Sequence, residues 1–117
     1  MSQVKIKRQF RVVDITVATA TSSCTTLRTE DMAGAVVRIG TISTNAANFQ
    51  VWGNTTDTGT FARLYDASGS AADITLAPST SVATAYALPD AAYALPYCKI
   101  VAATTNADCT ASVVMKS

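Results

Sequence analysis

Phe49-Gln50-Val51-Trp52-Gly53 and Phe61-Ala62-Arg63-Leu64-Tyr65 flank the polar run Asn54-Thr55-Thr56-Asp57-Thr58-Gly59-Thr60. Each flank alternates in character with a period of two, which sends successive side chains to opposite faces of an extended strand. The run between them is built from Asn, Asp, Gly and Thr, residues that turn a chain or decorate a loop. The stretch predicts a β-hairpin with a long polar tip and sets an all-β reading for the segments on either side.

Downstream, Asp66-Ala67-Ser68-Gly69-Ser70 is a second turn cluster, and Ala72-Asp73-Ile74-Thr75-Leu76 reads as a short strand that Pro78 ends. Ser81 to Leu88 reads as another. Pro89 and Pro96 bracket Asp90 to Leu95, where a single helical turn starting at Pro89 or Asp90 is expected. Tyr97 to Ala102 and Cys109 to Met115 are expected to close a final hairpin over Thr104 to Asp108. A turn centred on Asn106-Ala107 sets Cys98 opposite Met115 and not opposite Cys109, so no disulfide between these two is expected. The third cysteine, Cys24, leaves an odd set without a CxxC spacing, which specifies neither a disulfide framework nor a metal knuckle.

Upstream, the β-branched run around Val12 to Thr19 predicts the first strand, and Ala35-Val36-Val37-Arg38-Ile39 predicts another, punctuated by Gly40. Thr21 to Leu27 is too polar and too β-branched for a helix and is read as weakly extended. Eight or nine short strands separated by turn signals describe one antiparallel β-sandwich or a small barrel.

Composition narrows function. The chain has 117 residues, of which 49% are apolar and 15% charged, with a mean hydropathy of +0.24, values suited to one folded domain. It contains 21 Ala and 18 Thr, a single Glu (Glu30) and no His. Without His, Ser-His-Asp and Cys-His sites and most zinc sites are excluded, so no catalytic residue, cofactor or metal is assigned. A net charge of +1 gives no global field toward nucleic acid or an anionic membrane. No apolar run approaches membrane-spanning length, and no secretory leader is read at the N-terminus, so an intracellularly made protein is expected.

The charge is nevertheless unevenly placed. Lys5, Lys7, Arg8 and Arg11 give residues 1–11 a charge of +4, leaving −3 for residues 12–117. The expected division is a basic N-terminal arm over 1–11 and a sandwich domain over 12–117. An extended arm of that length reaches about 35 to 40 Å, enough to clamp an acidic partner surface; the same lysines on an edge strand would discourage edge pairing. Trp52 is out of phase with Phe49 and Val51, so it is either an exposed interface anchor or part of a core under a second layer. Tyr93, with Tyr86 and Tyr97 beside the two prolines, either offers a contact surface or closes one end of the sandwich. Asp57 alone in its loop is a poor ion site, and a solvated hairpin tip is expected there.

Residues 49–69 resemble the central hairpin of small β-sandwich proteins from tailed-phage virions, an apolar strand, a polar Asn-Asp-Gly-Thr type loop and an aromatic strand ending in Leu64-Tyr65-Asp66 before a Gly turn. Ala85-Tyr86-Ala87-Leu88-Pro89-Asp90-Ala91 leading to Tyr97-Cys98-Lys99-Ile100-Val101 is similar to the segment that follows in those proteins. The resemblance implies a jelly-roll-like sandwich acting as a head decoration (cement) protein on the capsid surface. It implies the major capsid protein as partner and a homo-oligomer, preferably a trimer, with no direct contact to nucleic acid or membrane. The alternative is a carbohydrate- or receptor-binding module of a phage fibre or tail tip. On either reading the contact candidates are Lys5, Lys7, Arg8, Arg11, Trp52 and Tyr93.

Overall fold

The hairpin read from residues 49–65 is the turning point of the whole chain. A computed structural model describes residues 9–40, 48–76, 83–103 and 109–117. Among them eight strands form: β1 Phe10–Val17, β2 Leu27–Arg28, β3 Gly34–Ile39, β4 Phe49–Asn54, β5 Ala62–Arg63, β6 Thr84–Ala87, β7 Tyr97–Ala102 and β8 Cys109–Lys116. β4 pairs with β5, β3 with β6, β2 with β7 and β1 with β8, all antiparallel, so the chain is doubled back as one long hairpin. Contacts of β3 with β8 and of β4 with β7 then gather these pairs into two sheets, ordered β1-β8-β3-β6 and β2-β7-β4-β5. This is the jelly-roll strand order of an antiparallel β-sandwich.

Alternation in the strands explains how the layers meet. Ile15 and Val17 of β1, Val37 and Ile39 of β3, and Val113 and Met115 of β8 are buried against Leu27, Phe49, Val51, Cys98 and Ile100 from the other sheet. Their neighbours in sequence face the other side, as a period of two requires, although Val101 beside Ile100 is also buried. Each buried Val, Leu, Ile or Phe contributes about 1.5–3 kcal/mol relative to exposure, and such residues carry this core. Gly53 sits at one tight point: Leu64 Cδ2 would lie 3.3 Å from a Cβ placed there, and Leu95 Cδ1 would overlap it. Gly59 and Gly69 adopt φ of +96° and +85° in the two polar turns, a region open to glycine without strain.

Two expectations are corrected. β7 and β8 do not form a hairpin; they belong to different sheets. Each is a central strand with two partners of its own, β2 and β4 for β7, β1 and β3 for β8, so pairing them together would leave flanking strands unmatched. Cys98 and Cys109 are accordingly not bridged, because they stand in opposite layers. Residues 72–76 do not form a regular strand: Ile74 makes a single bridge to Phe49, and Ala71 one to Tyr65. The polar segment before Leu27 resolves into the 3₁₀ turn Thr21–Ser23 followed by β2, and the turn expected near Pro89 is the 3₁₀ turn Asp90–Ala94. The 104–108 turn lies outside the described residues.

One polar side chain among the described residues is fully buried. Thr29 Oγ1 donates to Leu95 O at 2.6 Å while its N–H donates to Pro96 O at 2.8 Å, tying the β2 end to the segment between the 3₁₀ turn and β7. A buried hydroxyl is tolerated because it is bonded.

Candidate functional site

The outer face of the sheet β1-β8-β3-β6 carries an unusual row of side chains. In a one-sided sheet the solvent face is ordinarily polar. Here three valine doublets, Val12-Val13, Val36-Val37 and Val113-Val114, stand in matched register. Within each doublet one valine turns inward and the other outward, so Val13, Val113 and Val37 form an inner row and Val12, Val114 and Val36 an outer one. Ala87 of β6 extends the outer row across the fourth strand. Val12 is 55% exposed and Val36 41%. Phe10, 68% exposed, stands in the next row with Lys116 and Gly34. Gly34, Val36, Val114 and Lys116 line a shallow groove of about 430 Å³.

On the other side of the apolar row lies a polar one. Asp14 on β1, Ser112 on β8, Arg38 on β3 and Ala85 on β6 are cross-strand neighbours. Ser112 Oγ donates to Asp14 Oδ1 at 2.9 Å. Asp14, Ser112 and Arg38 line a second shallow depression of about 440 Å³ with Thr110 and Gly40 at its rim. The face thus reads, from one end to the other, as a mixed aromatic and basic row, an apolar row, and a row with an acid and a base two strands apart.

Of the residues singled out from sequence, Lys5, Lys7 and Arg8 lie outside the described residues. Phe10 and Arg11, assigned to the arm, belong to β1 and pair with Lys116 and Met115. The Arg11 guanidinium donates to Asp31 Oδ1 at 2.8 Å and to Arg28 O at 3.4 Å, so its charge is used within the fold. The chain enters β1 beside the last described residue: Gln9 N–H donates to Ser117 Oγ at 2.8 Å and Ser117 N–H to Gln9 O at 2.9 Å.

Trp52 is half-buried on the outer face of the other sheet, in a row with Lys99 and Arg63. Its indole N–H donates to Gln50 Oε1 at 3.0 Å. Both flanking cations are engaged. The Lys99 ammonium lies 4.7 Å from the Phe61 ring centroid and donates to Thr21 O at 2.9 Å. Arg63 pairs with Asp73 at 2.8 Å and lies 5.7 Å from the Tyr65 ring centroid. Tyr93 packs against the core from the Asp90–Ala94 turn, and burial pushes its phenol above the ordinary value. Tyr86 also packs against the core, whereas Tyr97 stands on the outer face with Arg28 and Asn54. Trp52, Tyr93 and Arg11 therefore occupy three separate regions and do not form one site.

Asp57 lies in the exposed tip, whose backbone is held by Asn54, with Nδ2 donating to Thr58 O at 2.9 Å. Among the described residues, no group of three or more His, Cys, Asp or Glu side chains is placed to hold a metal ion. No helix among them is long and apolar enough to cross a membrane.

The valine-lined face was missed in the sequence reading. Its signal is the doublet itself, since two consecutive valines in a strand cannot both face the core. Comparison of the chain with protein-family models, with curated proteins and with solved structures gives no match.

Proposed function

We propose that the protein is a structural virion component, a cement protein that decorates a phage capsid and bridges its shell subunits. The observation that carries this reading is the outer row Val12, Val114 and Val36 with Phe10 beside it, an apolar strip held open on a rigid sheet. Apolar area on a fixed surface suits adhesion, because contact then costs little ordering of the protein itself. The resemblance of residues 49–69 and 85–101 to virion sandwich proteins supplies the kind of partner, the major capsid protein.

On this reading the work is done by contact and not by turnover. In sequence, the basic residues Lys5, Lys7 and Arg8 precede Gln9 and Phe10, the latter paired with Lys116 at the end of the sheet. Such a segment suits an acidic strip on the shell. Modest contacts repeated around a lattice sum through effective concentration.

Co-sedimentation of the full chain with assembled particles tests the proposal. The expected result is a fixed copy number per particle for the native chain and loss of attachment when Lys5, Lys7 and Arg8 are all changed to Glu. Absence of the native chain from the particle fraction would refute it.

Trp52 between Lys99 and Arg63 favours a second reading, a carbohydrate- or receptor-binding module of a fibre or tail tip. Glycan binding lost in Trp52→Ala would support that reading against the cement role.

A further inference from the structure

The ladder of β1 runs unbroken from Phe10 opposite Lys116 to Val17 opposite Cys109, and it assigns the backbone groups of the strand to one side or the other. Ser117 N–H donates to Gln9 O at 2.9 Å, so Gln9 turns its polar groups toward β8. Alternate residues of an antiparallel strand do the same, which turns Arg11, Val13, Ile15 and Val17 toward β8 and Phe10, Val12, Asp14 and Thr16 away from it. Thr16 agrees with this alternation: its N–H donates to Thr25 Oγ1 at 2.9 Å, and its carbonyl accepts from Thr25 N–H at 3.3 Å. Among the described residues, no group bonds the outward N–H and C=O of Phe10, Val12 or Asp14.

We infer that this edge takes an extended segment of a different chain as a further strand, laid antiparallel beside Phe10 to Asp14. Paired donors and acceptors repeating at about 6.6 Å match the backbone of another β-strand. The devices that ordinarily blunt a sheet edge are missing from β1, which contains no proline and no bulge. Arg11 is tied to Asp31. Asp14, exposed and bonded to the neutral Ser112, keeps its charge available to select the incoming strand.

That edge does not fit a second copy of itself. Twofold pairing of β1 with β1 is antiparallel, and each register that joins outward groups of both strands sets a mismatch. It places Arg11 on Arg11, Phe10 on Asp14 twice, Val12 on Asp14 twice, or Asp14 on Asp14, and like charges directly opposite destabilise a sheet. A different chain meets the same edge with a basic residue beside Asp14 and apolar ones beside Val12 and Phe10, which are 55% and 68% exposed. Its middle residue continues the row Val36, Val114 and Val12 by one strand and covers the bare flank of Val12. The pairing deepens the cement reading and rests on it for the donor, a segment of the shell subunit.

The probe is the capped heptapeptide Thr-Lys-Thr-Val-Thr-Leu-Thr, whose second, fourth and sixth residues align with Asp14, Val12 and Phe10. Titrated into the isotope-labelled full chain, it is expected to shift the amide resonances of Phe10, Val12 and Asp14 saturably and to slow their hydrogen exchange. An N-methyl group on its fourth residue, aimed at the edge, should weaken binding at least about tenfold, whereas one on its fifth, aimed away, should leave binding unchanged. Glutamate in place of its lysine should weaken binding to the native chain, and Asp14→Lys should reverse that preference. Three results would overturn the inference: no saturable shift at these amides, equal loss from both N-methyl peptides, or Val12 and Asp14 amides already protected in a native chain that sediments as a dimer. If the peptides behave as expected and the native chain stays out of the particle fraction, the cement reading falls and the edge stands. A chain that attaches to particles and ignores the heptapeptide sinks the edge alone.

Discussion

Leu95 caps Gly53: the leucine closing the Asp90–Ala94 turn places Cδ1 where a side chain at position 53 would begin. The third inward-facing position of β4, after Phe49 and Val51, can therefore carry a Cβ only if the tip of the Leu95 side chain turns away. Gly53→Ala is expected to destabilise the fold by about 1–3 kcal/mol, the usual cost of overfilling a packed site. In a Leu95→Ala background the same change should cost less than half as much. Urea denaturation of the four proteins of this double-mutant cycle measures both numbers.

Thr29→Val keeps the shape of the side chain and removes the hydroxyl. Leu95 O then loses a 2.6 Å donor and Ala92 O a weaker one at 3.3 Å, the first in a partly buried and the second in a fully buried position. Orphaned buried carbonyls make this substitution cost about 1–3 kcal/mol, more than the added methyl returns. Thermal and chemical unfolding should agree on the loss, and Thr29→Ser should recover most of it.

Cys98 gives the fold an alkaline limit. Burial pushes its thiol from 9.0 up to about 11, against an opposing hydrogen bond from Thr29. The unfolded chain thus releases this proton at lower pH than the native one. Stability is fully present below about pH 9 and is lost as pH rises toward 11, by about 3 kcal/mol for two pK units. Unfolding free energies at pH 8 and 11 should show this slope, and Cys98→Ala should flatten it whatever its uniform effect on stability. The native Cys98 thiol should resist alkylation at pH 8.

Arg63 and Asp73 form an unequal pair, with side chains 29% and 13% exposed and one buried polar atom of each, Nε and Oδ1, unbonded. Removing the arginine strands the more deeply buried charge. Arg63→Met is expected to cost about 2–4 kcal/mol, because the buried carboxylate then lacks its counter-charge. Asp73→Ala should cost less than Arg63→Met, because the guanidinium left behind still reaches water. Urea denaturation of the two single variants separates the cases.

Periodicity in Phe49–Gly53 and Ala35–Ile39 was sufficient to place β4 and β3, and the turn chemistry of residues 54–60 placed the hairpin tip. Local pattern failed where pairing is non-local. Tyr97–Ala102 and Cys109–Met115 look like hairpin partners because they are adjacent in sequence, yet each satisfies its backbone against strands far away. Leu27 was hidden because burial of a two-residue strand leaves no period to read. The contact face was in plain view as three valine doublets, but only their mutual register, fixed by pairs such as Val12 with Val114, turns three dipeptides into one surface. Arg11 was assigned to a basic arm because charge alone cannot reveal Asp31 twenty residues away.

The pairing of Phe10 with Lys116 also sets a timetable. Among the described residues β8 is the only in-sheet neighbour of β1, so β1 waits for a strand that leaves the ribosome after all the other described strands. Until Lys116 emerges, the nascent chain carries Val12, Ile15 and Val17 without a ladder to join. Closure over so long a loop belongs to the slow class of folding reactions, milliseconds to seconds. During that interval a chaperone that shields nascent apolar segments would find its target in β1.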